Sequence, residues 1–228
     1  GPVRWFKKKM NKTFAVGTDR NHEDLLPWWY YNIKKYSPKP HITIADLGMS
    51  PRMREWSQEH SDTFLEYDIN EGRAWFYKPQ VMLDAPYEYV CWVDSDCEVM
   101  KPIDDVFNYP TDTQIALSLD IIRMGLNEVP QTTSTPVWAT GVNCSKGKSD
   151  ILKYWAFRCH HSDNRGDQEE LLQMVREAPS LNSQIVQLPL IYQWLRISLA
   201  NGYDNPNKKI VHWTGPTGKN HIRTNLMP

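Results

Sequence analysis

The sequence predicts an α/β fold in which one mostly parallel central sheet carries helices on both faces. Segments typical of strands and of helices alternate along the chain, as in parallel sheets with helical crossovers. One strand candidate is a continuous apolar run, which indicates a strand buried on both faces. Asp19, Asp46 and Asp94 each follow a strand candidate, so the fold gathers them at the carboxyl edge, where such sheets bind ligands.

Hydrophobic periodicity places three strand–helix units before the apolar strand. Pro27 near the start of the first helix candidate and Pro51 at the first turn of the second fit the positions where a helix tolerates proline. The predicted strands cover residues 13–17, 41–45 and 63–67, and the predicted helices cover residues 23–36, 51–60 and 73–83.

The second half of the chain follows a looser pattern. A loop rich in Pro, Thr and Ser at 130–136 is a candidate acceptor lid, and a Gly/Pro-containing tail follows the last strand. The predicted strands cover residues 89–93, 114–119, 137–142 and 209–212, and the predicted helices cover 150–160 and 167–177. We predict one domain over residues 10–228, preceded by a tag-cleavage scar and a short basic extension at 1–9.

Composition excludes several classes of protein. A net charge of -1 provides no basic field for nucleic acid. The 4 cysteines lack metal-ligand spacing and disulfide density, so reduced thiols and a cytoplasmic location are expected. No apolar stretch approaches the ~20 residues of a membrane-spanning helix, although the basic extension could touch a membrane surface. The 10 Trp and 11 Tyr supply flat surfaces that can stack on bases and sugar rings.

The most specific local pattern is the pair of carboxylates in Asp94-Ser95-Asp96, directly after the buried strand 89–93. Carboxylates at i and i+2 can converge on one hard cation where the chain leaves the sheet. Mn²⁺ or Mg²⁺ suits these oxygen ligands and can neutralise charge on a departing diphosphate. The alternative is a polar strand end that caps a turn.

Cations before and after this pattern favour the metal and diphosphate interpretation. Arg73 and Lys78 precede the acidic strand and can hold phosphate oxygens, or can form surface ion pairs instead. His212 ends the last strand and can ligate a metal. A flexible loop from Gly215 to Lys219 then brings a lysine that can reach a diphosphate.

Taken in order, these motifs resemble those of glycosyltransferases with the GT-A fold, most closely the retaining family of glycogenin and the lipooligosaccharide galactosyltransferases. The resemblance rests on VGTD at 16–19, DSD at 94–96, TGV at 140–142, DQ at 167–168 and H-x-x-G-x-x-x-K at 212–219. It implies a single Rossmann-like GT-A domain that transfers a hexose-like sugar from a UDP-sugar to a glycan hydroxyl with retention of configuration.

Residue by residue, the resemblance implies that Asp94, Asp96 and His212 bind the metal. It implies that Asp167 hydrogen-bonds donor-sugar hydroxyls and that Gln168 lies beneath the anomeric carbon. The predicted donor-binding residues are Val16, Gly17, Thr18, Asp19, Arg73, Lys78, Asp94, Ser95, Gly215 and Lys219.

The sequence departs from the family pattern at two places. Three alternative functions also stay open. Gly218 precedes the expected lysine, and Ala139-Thr140 stands where the family has Asn before Gly-Val. An inverting transferase would need a base, for which Asp120, Asp163 and Glu169 are candidates. A non-catalytic nucleotide-sugar or glycan-binding module could keep the fold without turnover. A haloacid-dehalogenase-like phosphatase would need a small Gly-containing pair after the acidic motif, where Cys97-Glu98 stands.

Overall fold

A computed structural model describes residues 11–70 and 72–227, so the predicted extension at 1–9 lies outside the described residues. The strands are β1 (Lys12–Thr18), β2 (Ile42–Asp46), β3 (Thr63–Glu66), β4 (Tyr89–Val93), β5 (Cys97–Val99), β6 (Ile115–Leu119), β7 (Trp138–Lys146), β8 (Ile185–Gln187), β9 (Trp194–Leu195) and β10 (Ile210–His212). The helices are α1 (Leu26–Tyr36), α2 (Pro51–His60), α3 (Lys78–Asp84), α4 (Asp150–His160), α5 (Asp167–Glu177), α6 (Arg196–Ala200) and α7 (Gly215–His221). Across the described part of the chain, no helix combines the length and apolarity needed to cross a membrane.

The central sheet has seven strands in the order β3-β2-β1-β4-β7-β6-β8. Only β7 runs against its neighbours, since it pairs antiparallel with both β4 and β6 while the other pairings in this sheet are parallel. The prediction of a mostly parallel central sheet is therefore confirmed. The carboxyl ends of β1, β2 and β4 meet at one edge, which is where the predicted site residues follow them.

Side chains of β4 alternate between two hydrophobic cores, one on each face of the sheet. Val90 and Trp92 belong to the core covered by α3, α4 and α5, whereas Cys91 and Val93 belong to the core covered by α1. This explains why the strand has no polar alternation. The helices that cover both faces confirm the predicted architecture and hold β4 rigidly under the acidic motif.

A small second sheet, in the order β5-β10-β9, lies beside the end of β4. In it β10 pairs antiparallel with β5, so that His212 lies opposite Cys97. Because β5 follows the acidic motif directly, this pairing carries His212 from the end of the chain to the two aspartates.

Helices α2, α4 and α5 and strand β4 have the predicted bounds. Ser50 and Ser149 cap α2 and α4, since each hydroxyl accepts a hydrogen bond from a backbone N–H three residues later. The helix predicted over 73–83 is a 3₁₀ turn, Ala74–Tyr77, followed by α3, and a 3₁₀ turn also precedes α1.

The prediction of a flexible loop at 215–219 is wrong, because these residues form α7, which continues as a π-helix over Ile222–Leu226. Pro216 is compatible with a helix in its first turn. A side chain at Gly218 would overlap the backbone carbonyl of Trp213, so glycine allows α7 to pack against the end of β10. This contact also explains why Gly218 precedes Lys219, which was one of the two departures from the family pattern.

Candidate active site

A cleft of about 330 Å³ opens at the carboxyl ends of the central strands. Its walls come from β4, β7, α5 and the β10–α7 junction, which are distant in sequence. The cleft brings together these predicted site residues: Gly17, Lys78, Asp94, Ser95, Asp96, Asp167, Gln168, His212, Gly215 and Lys219.

Three potential metal ligands converge in this cleft. The Nε2 atom of His212 lies 3.0 Å from Oδ1 of Asp96 and 3.5 Å from Oδ2 of Asp94. The other oxygen of Asp94 accepts a hydrogen bond of 2.7 Å from the indole N–H of Trp92. Trp92 thereby orients Asp94 so that one carboxylate oxygen faces the imidazole.

The imidazole of His212 is packed against Gly141 of β7. A Cβ atom at Gly141 would lie 2.6 Å from Nδ1 of His212 and 3.2 Å from Oδ2 of Asp94. Glycine is therefore required for the histidine to reach the aspartates. Burial lowers the pKa of His212, but the negative charge and hydrogen bond of Asp96 outweigh burial and raise that pKa above its ordinary value.

Asp96 links the metal-ligand set to α7. Its Oδ2 atom accepts a hydrogen bond of 2.9 Å from Nζ of Lys219, while Oδ1 faces His212. Burial opposes ionisation of Asp96, but His212 and Lys219 together hold its pKa well below the ordinary range. Asp96 is therefore a buried carboxylate whose negative charge is offset by the ammonium of Lys219 and by contact with the imidazole of His212.

The donor set fits a divalent cation of the manganese type. One oxygen of Asp94 and one of Asp96 face the same imidazole nitrogen of His212, and carboxylate and imidazole groups are ligands that suit such a cation once the imidazole is neutral. The sulfur of Cys97 lies with Asp96 and His212 in one cluster of potential ligand atoms within 4.8 Å of one another. Burial, followed by Asp96 and Asp94, raises the pKa of Cys97, so its neutral thiol is a poor ligand for a hard cation.

Lys78 joins the metal-ligand set to α5. Its Nζ atom lies 3.0 Å from Oδ1 of Asp94 and 3.2 Å from Oδ2 of Asp167, and it donates to the carbonyl of Thr140. Burial lowers the pKa of Lys78, but Asp167 and Asp94 outweigh burial and raise it above the ordinary value. Lys78 is thus a buried ammonium that holds two carboxylates of the cleft in place.

Asp167 and Gln168 begin α5 and both line the cleft. The hydroxyl of Thr140 donates to Oδ2 of Asp167 at 2.7 Å, and burial raises the pKa of Asp167 even though Lys78 opposes the shift. Gln168 donates to Asp120 at 2.8 Å and accepts from the backbone N–H of Thr140. Both side chains are therefore held by Thr140 of β7, and Gln168 also by Asp120, directly after β6.

A second cavity, of about 340 Å³, adjoins the cleft and shares Leu47 and Ala74 with it. Asp19 lines this cavity, where its carboxylate accepts hydrogen bonds from the backbone of Asn21 and from His22. Val16 and Thr18 are buried and line neither cavity. Of the donor-binding residues predicted at 16–19, Gly17 thus lines the cleft and Asp19 lines the adjoining cavity, whereas Val16 and Thr18 line neither.

Arg73 lies apart from the cleft lining. Its guanidinium donates to the carbonyl oxygens of Cys159 and Ser162, at 2.9 Å each, and stacks on the ring of Phe76 at 4.1 Å. These carbonyls lie at the end of α4 and just beyond it, where a cation is favourable. Both cations were predicted to hold phosphate oxygens. Lys78 lies in the cleft, whereas Arg73 lies at the end of α4.

The three carboxylates considered as bases occupy different positions. Glu169 lines the cleft and forms an ion pair with Arg123, and Asp120 accepts hydrogen bonds from Gln168 and from the backbone of Arg123. Burial opposes ionisation of Glu169, but Arg123 lowers its pKa below the ordinary value. Asp163 is exposed and does not line the cleft.

The fold of this chain is shared with solved glycosyltransferases. The galactosyltransferase LgtC, solved with donor and acceptor sugar analogues, matches 90% of this chain and 87% of its own, with a TM-score of 0.63 and 13% identity. GlyE of Streptococcus pneumoniae matches 90% of this chain with a TM-score of 0.63 and 12% identity. WbbM, a bifunctional glycosyltransferase, matches 94% with a TM-score of 0.61 and 15% identity.

The chain has the fold of these glycosyltransferases. It spans 55% of the GlyE chain and 47% of the WbbM chain, and thus about half of each. No family model and no curated protein matches the sequence. The predicted GT-A fold is therefore confirmed by structure, at an identity too low for sequence comparison to show it.

Proposed function

We propose that this chain transfers a hexose-like sugar from a UDP-sugar to a hydroxyl group of a glycan acceptor. The observation that supports this most strongly is the convergence of Asp94, Asp96 and His212 in a cleft of the glycosyltransferase fold. A domain over residues 10–228, a cytoplasmic location and contact with a membrane surface stay predictions from the sequence.

In this proposal the three converging side chains hold Mn²⁺ or Mg²⁺. When bound, the ion would neutralise charge that develops on the departing diphosphate. Lys219 lies beside Asp96 in the last turn of α7 and would bind phosphate oxygens from the other side. Lys78 would hold Asp94 and Asp167 at fixed positions, which preorganises the charges of the cleft.

The donor sugar would lie in the cleft, against the first residues of α5. Asp167 would accept hydrogen bonds from sugar hydroxyls, because its carboxylate lines the cleft and is already positioned by Thr140 and Lys78. Asp19 would contact the nucleoside in the adjoining cavity, and Gly17 would contact the donor in the cleft. UDP-galactose is the first donor to test because LgtC is a galactosyltransferase.

UDP together with Mn²⁺ should stabilise the chain against thermal unfolding. A ligand at about 100 times its Kd stabilises the folded state by about 2.7 kcal/mol. For a chain of this size, that corresponds to a rise in Tm of roughly 5–10 °C. Differential scanning fluorimetry with UDP, Mn²⁺, both together and GDP with Mn²⁺ measures the effect. A rise with GDP and none with UDP would contradict the proposed donor.

We further propose that the product keeps the anomeric configuration of the donor. The amide of Gln168 is a weak nucleophile, so attack would occur on the same face as the departing diphosphate, with charge stabilisation rather than a covalent enzyme intermediate. The hydrogen bond from Gln168 to Asp120 would hold that amide in place.

The one-bond and three-bond coupling constants of the new anomeric centre, measured by NMR, test retention. An α-linked donor should give an α-linked product, and Gln168→Ala should slow transfer without abolishing it, whereas Asp167→Asn should cost more. Gln187→Ala, an exposed glutamine outside the cleft, provides the matched control. A β-linked product would contradict retention and would favour an inverting mechanism.

The structure leaves two carboxylates near the cleft for the inverting alternative. Glu169 lines the cleft, and Asp120 bonds to a cleft side chain. Both are already engaged, the first with Arg123 and the second with Gln168. A non-catalytic binding module, the alternative of another class, would bind UDP with Mn²⁺ but release no UDP from any donor.

A further inference from the structure

A groove of about 590 Å³, apart from the cleft and its adjoining cavity, lies between α1 and the π-helix at 222–226. Trp28 and Tyr31 of α1 form one wall, and Leu226 and Met227 form the other. Glu98 of β5 also lines the groove. None of these residues lines the candidate active site, so the groove is a separate feature of the surface.

The walls of the groove are tied together by hydrogen bonds. The side-chain amide of Asn32 donates to the carbonyl of Val99 and accepts from its N–H, at 2.8 and 2.6 Å, which fixes α1 to β5. Arg223 donates two hydrogen bonds to Asp24, at 2.6 and 2.9 Å, which fixes the C-terminal π-helix to the turn before α1. A groove held in this way is formed before a ligand binds, which lowers the entropic cost of binding.

The groove presents aromatic rings beside groups that can form hydrogen bonds. Trp28 and Tyr31 lie one helical turn apart on the same face of α1, and Tyr31 is 59% exposed. Lys35 extends this face by another turn with an exposed ammonium. Glu98 uses one carboxylate oxygen to accept from the indole N–H of Trp213, and among the described residues its second oxygen has no hydrogen-bond partner and can accept from a ligand.

This combination suits the chemistry of a sugar ring. A pyranose has an apolar C–H face, which packs on the negative face of an aromatic ring, and hydroxyls at its edge that donate and accept. A wholly apolar partner would cover Lys35 and Glu98 without replacing the hydrogen bonds that they make with water. A carbohydrate can satisfy both the rings and the charged groups.

We propose that this groove binds a neutral oligosaccharide segment of the acceptor, at a distance from the hydroxyl that receives the sugar. The choice of ligand rests on the proposed sugar transfer. Glu98 follows Asp96 by two residues, and its partner Trp213 follows His212 directly, so the groove is built on the same small sheet as the metal-ligand set. A segment held there would raise the effective concentration of the acceptor end at the cleft.

Ligand-observed NMR with linear hexasaccharides of glucose and of galactose tests binding without any need for turnover. The unmodified chain should bind at least one of them, and Trp28→Ala and Tyr31→Ala should each weaken binding about tenfold or more, since stacking on the ring is lost. Phe157→Ala removes an aromatic side chain that is also 59% exposed, on α4, and should leave binding unchanged. Thermal unfolding confirms that each variant is folded.

Binding that survives in both Trp28→Ala and Tyr31→Ala, or no binding of either hexasaccharide, would overturn the proposal. The proposal would also be overturned if light scattering showed that the unmodified chain self-associates and that these two variants abolish the association. The groove would then be an interface between copies of the chain. Asp96→Asn should retain hexasaccharide binding, which separates this proposal from the proposed catalysis. With an active donor, the two groove variants should raise KM for a long acceptor about tenfold while leaving KM for a monosaccharide acceptor unchanged.

Discussion

We expect Asp96→Asn to lower metal-dependent release of UDP from a UDP-sugar by about 10³-fold or more. The substitution removes an anionic ligand from a site where metal binding stabilises the transition state by several kcal/mol, and each ~1.4 kcal/mol corresponds to a factor of ten in rate. It also removes the charge that faces His212 and Lys219 at 3.0 and 2.9 Å. Steady-state measurement of UDP release over a range of Mn²⁺ concentrations gives both the rate and the metal dependence.

Asparagine fills the same volume and leaves no cavity, but the substitution removes the anion that faces Lys219 and His212, so we expect a lower Tm in a chain that stays folded at room temperature. Asp112→Asn is the matched control, since it makes the same chemical change at an exposed position outside the cleft. It should leave UDP release and Tm unchanged. Unfolding of Asp96→Asn at room temperature would show that Asp96 serves the fold, whereas full activity in chelator would contradict its role as a metal ligand.

Lys78→Met should reduce both stability and turnover. The ammonium of Lys78 is buried and lies within 3.2 Å of Asp94 and Asp167, so its removal leaves the buried Asp167 and the partly buried Asp94 without their shared cation. Breaking a buried ion pair in this way costs about 3–5 kcal/mol. Because Asp167 and Asp94 raise the pKa of Lys78, the ammonium stays charged through the neutral range and the loss should not depend on pH there. Urea denaturation measures the free energy of unfolding.

A double variant distinguishes an electrostatic role for Lys78 from simple packing. The double variant Lys78→Met/Asp167→Asn lacks one of the two carboxylates that lost their cation. It should therefore recover part of the lost stability while turnover stays low. Lys153→Met, which removes an exposed ammonium on α4, is the control and should change little. If the loss of unfolding free energy in the double variant equals the sum of the losses in the two single variants, Lys78 and Asp167 do not interact.

Much of the fold could be predicted because its longer elements carry local signals. Helices α2 and α4 combine a serine cap with helical periodicity, and β4 is apolar throughout because both of its faces are covered. Strands β5 and β9 have three and two residues, which is too short for periodicity to be recognised. They exist through pairing with β10, which is distant from β5 in sequence.

Helix α7 was missed because its sequence contains two glycines and a proline, which favour turns in isolation. The helix is favoured by contacts that the sequence does not reveal, such as the packing of Gly218 on the carbonyl of Trp213. The consequence for the site is substantial, since Lys219 is presented by a helix and is held by Asp96.

The site was only partly predictable, because contacts between residues distant in sequence decide the role of each side chain. Asp94 and Asp96 were identified from their spacing, but the ion pair between Lys78 and Asp167 joins residues far apart in the chain. Arg73 and Lys78 looked equivalent on one predicted helix. The change from a 3₁₀ turn to α3 sends Lys78 into the cleft and leaves Arg73 at the end of α4. Trp92 could have been found, since i and i+2 share one face of a strand.

The central claim is that Asp94, Asp96 and His212 form the metal site of a sugar transferase that uses a UDP-linked donor. The most direct test is the release of UDP from a panel of UDP-hexoses, beginning with UDP-galactose, with Mn²⁺ and with chelator. We predict that at least one donor releases UDP, that chelator abolishes the release, and that added Mn²⁺ restores it. Absence of UDP release from every donor with Mn²⁺ and a glycan acceptor present, or release that chelator leaves unchanged, would contradict the account.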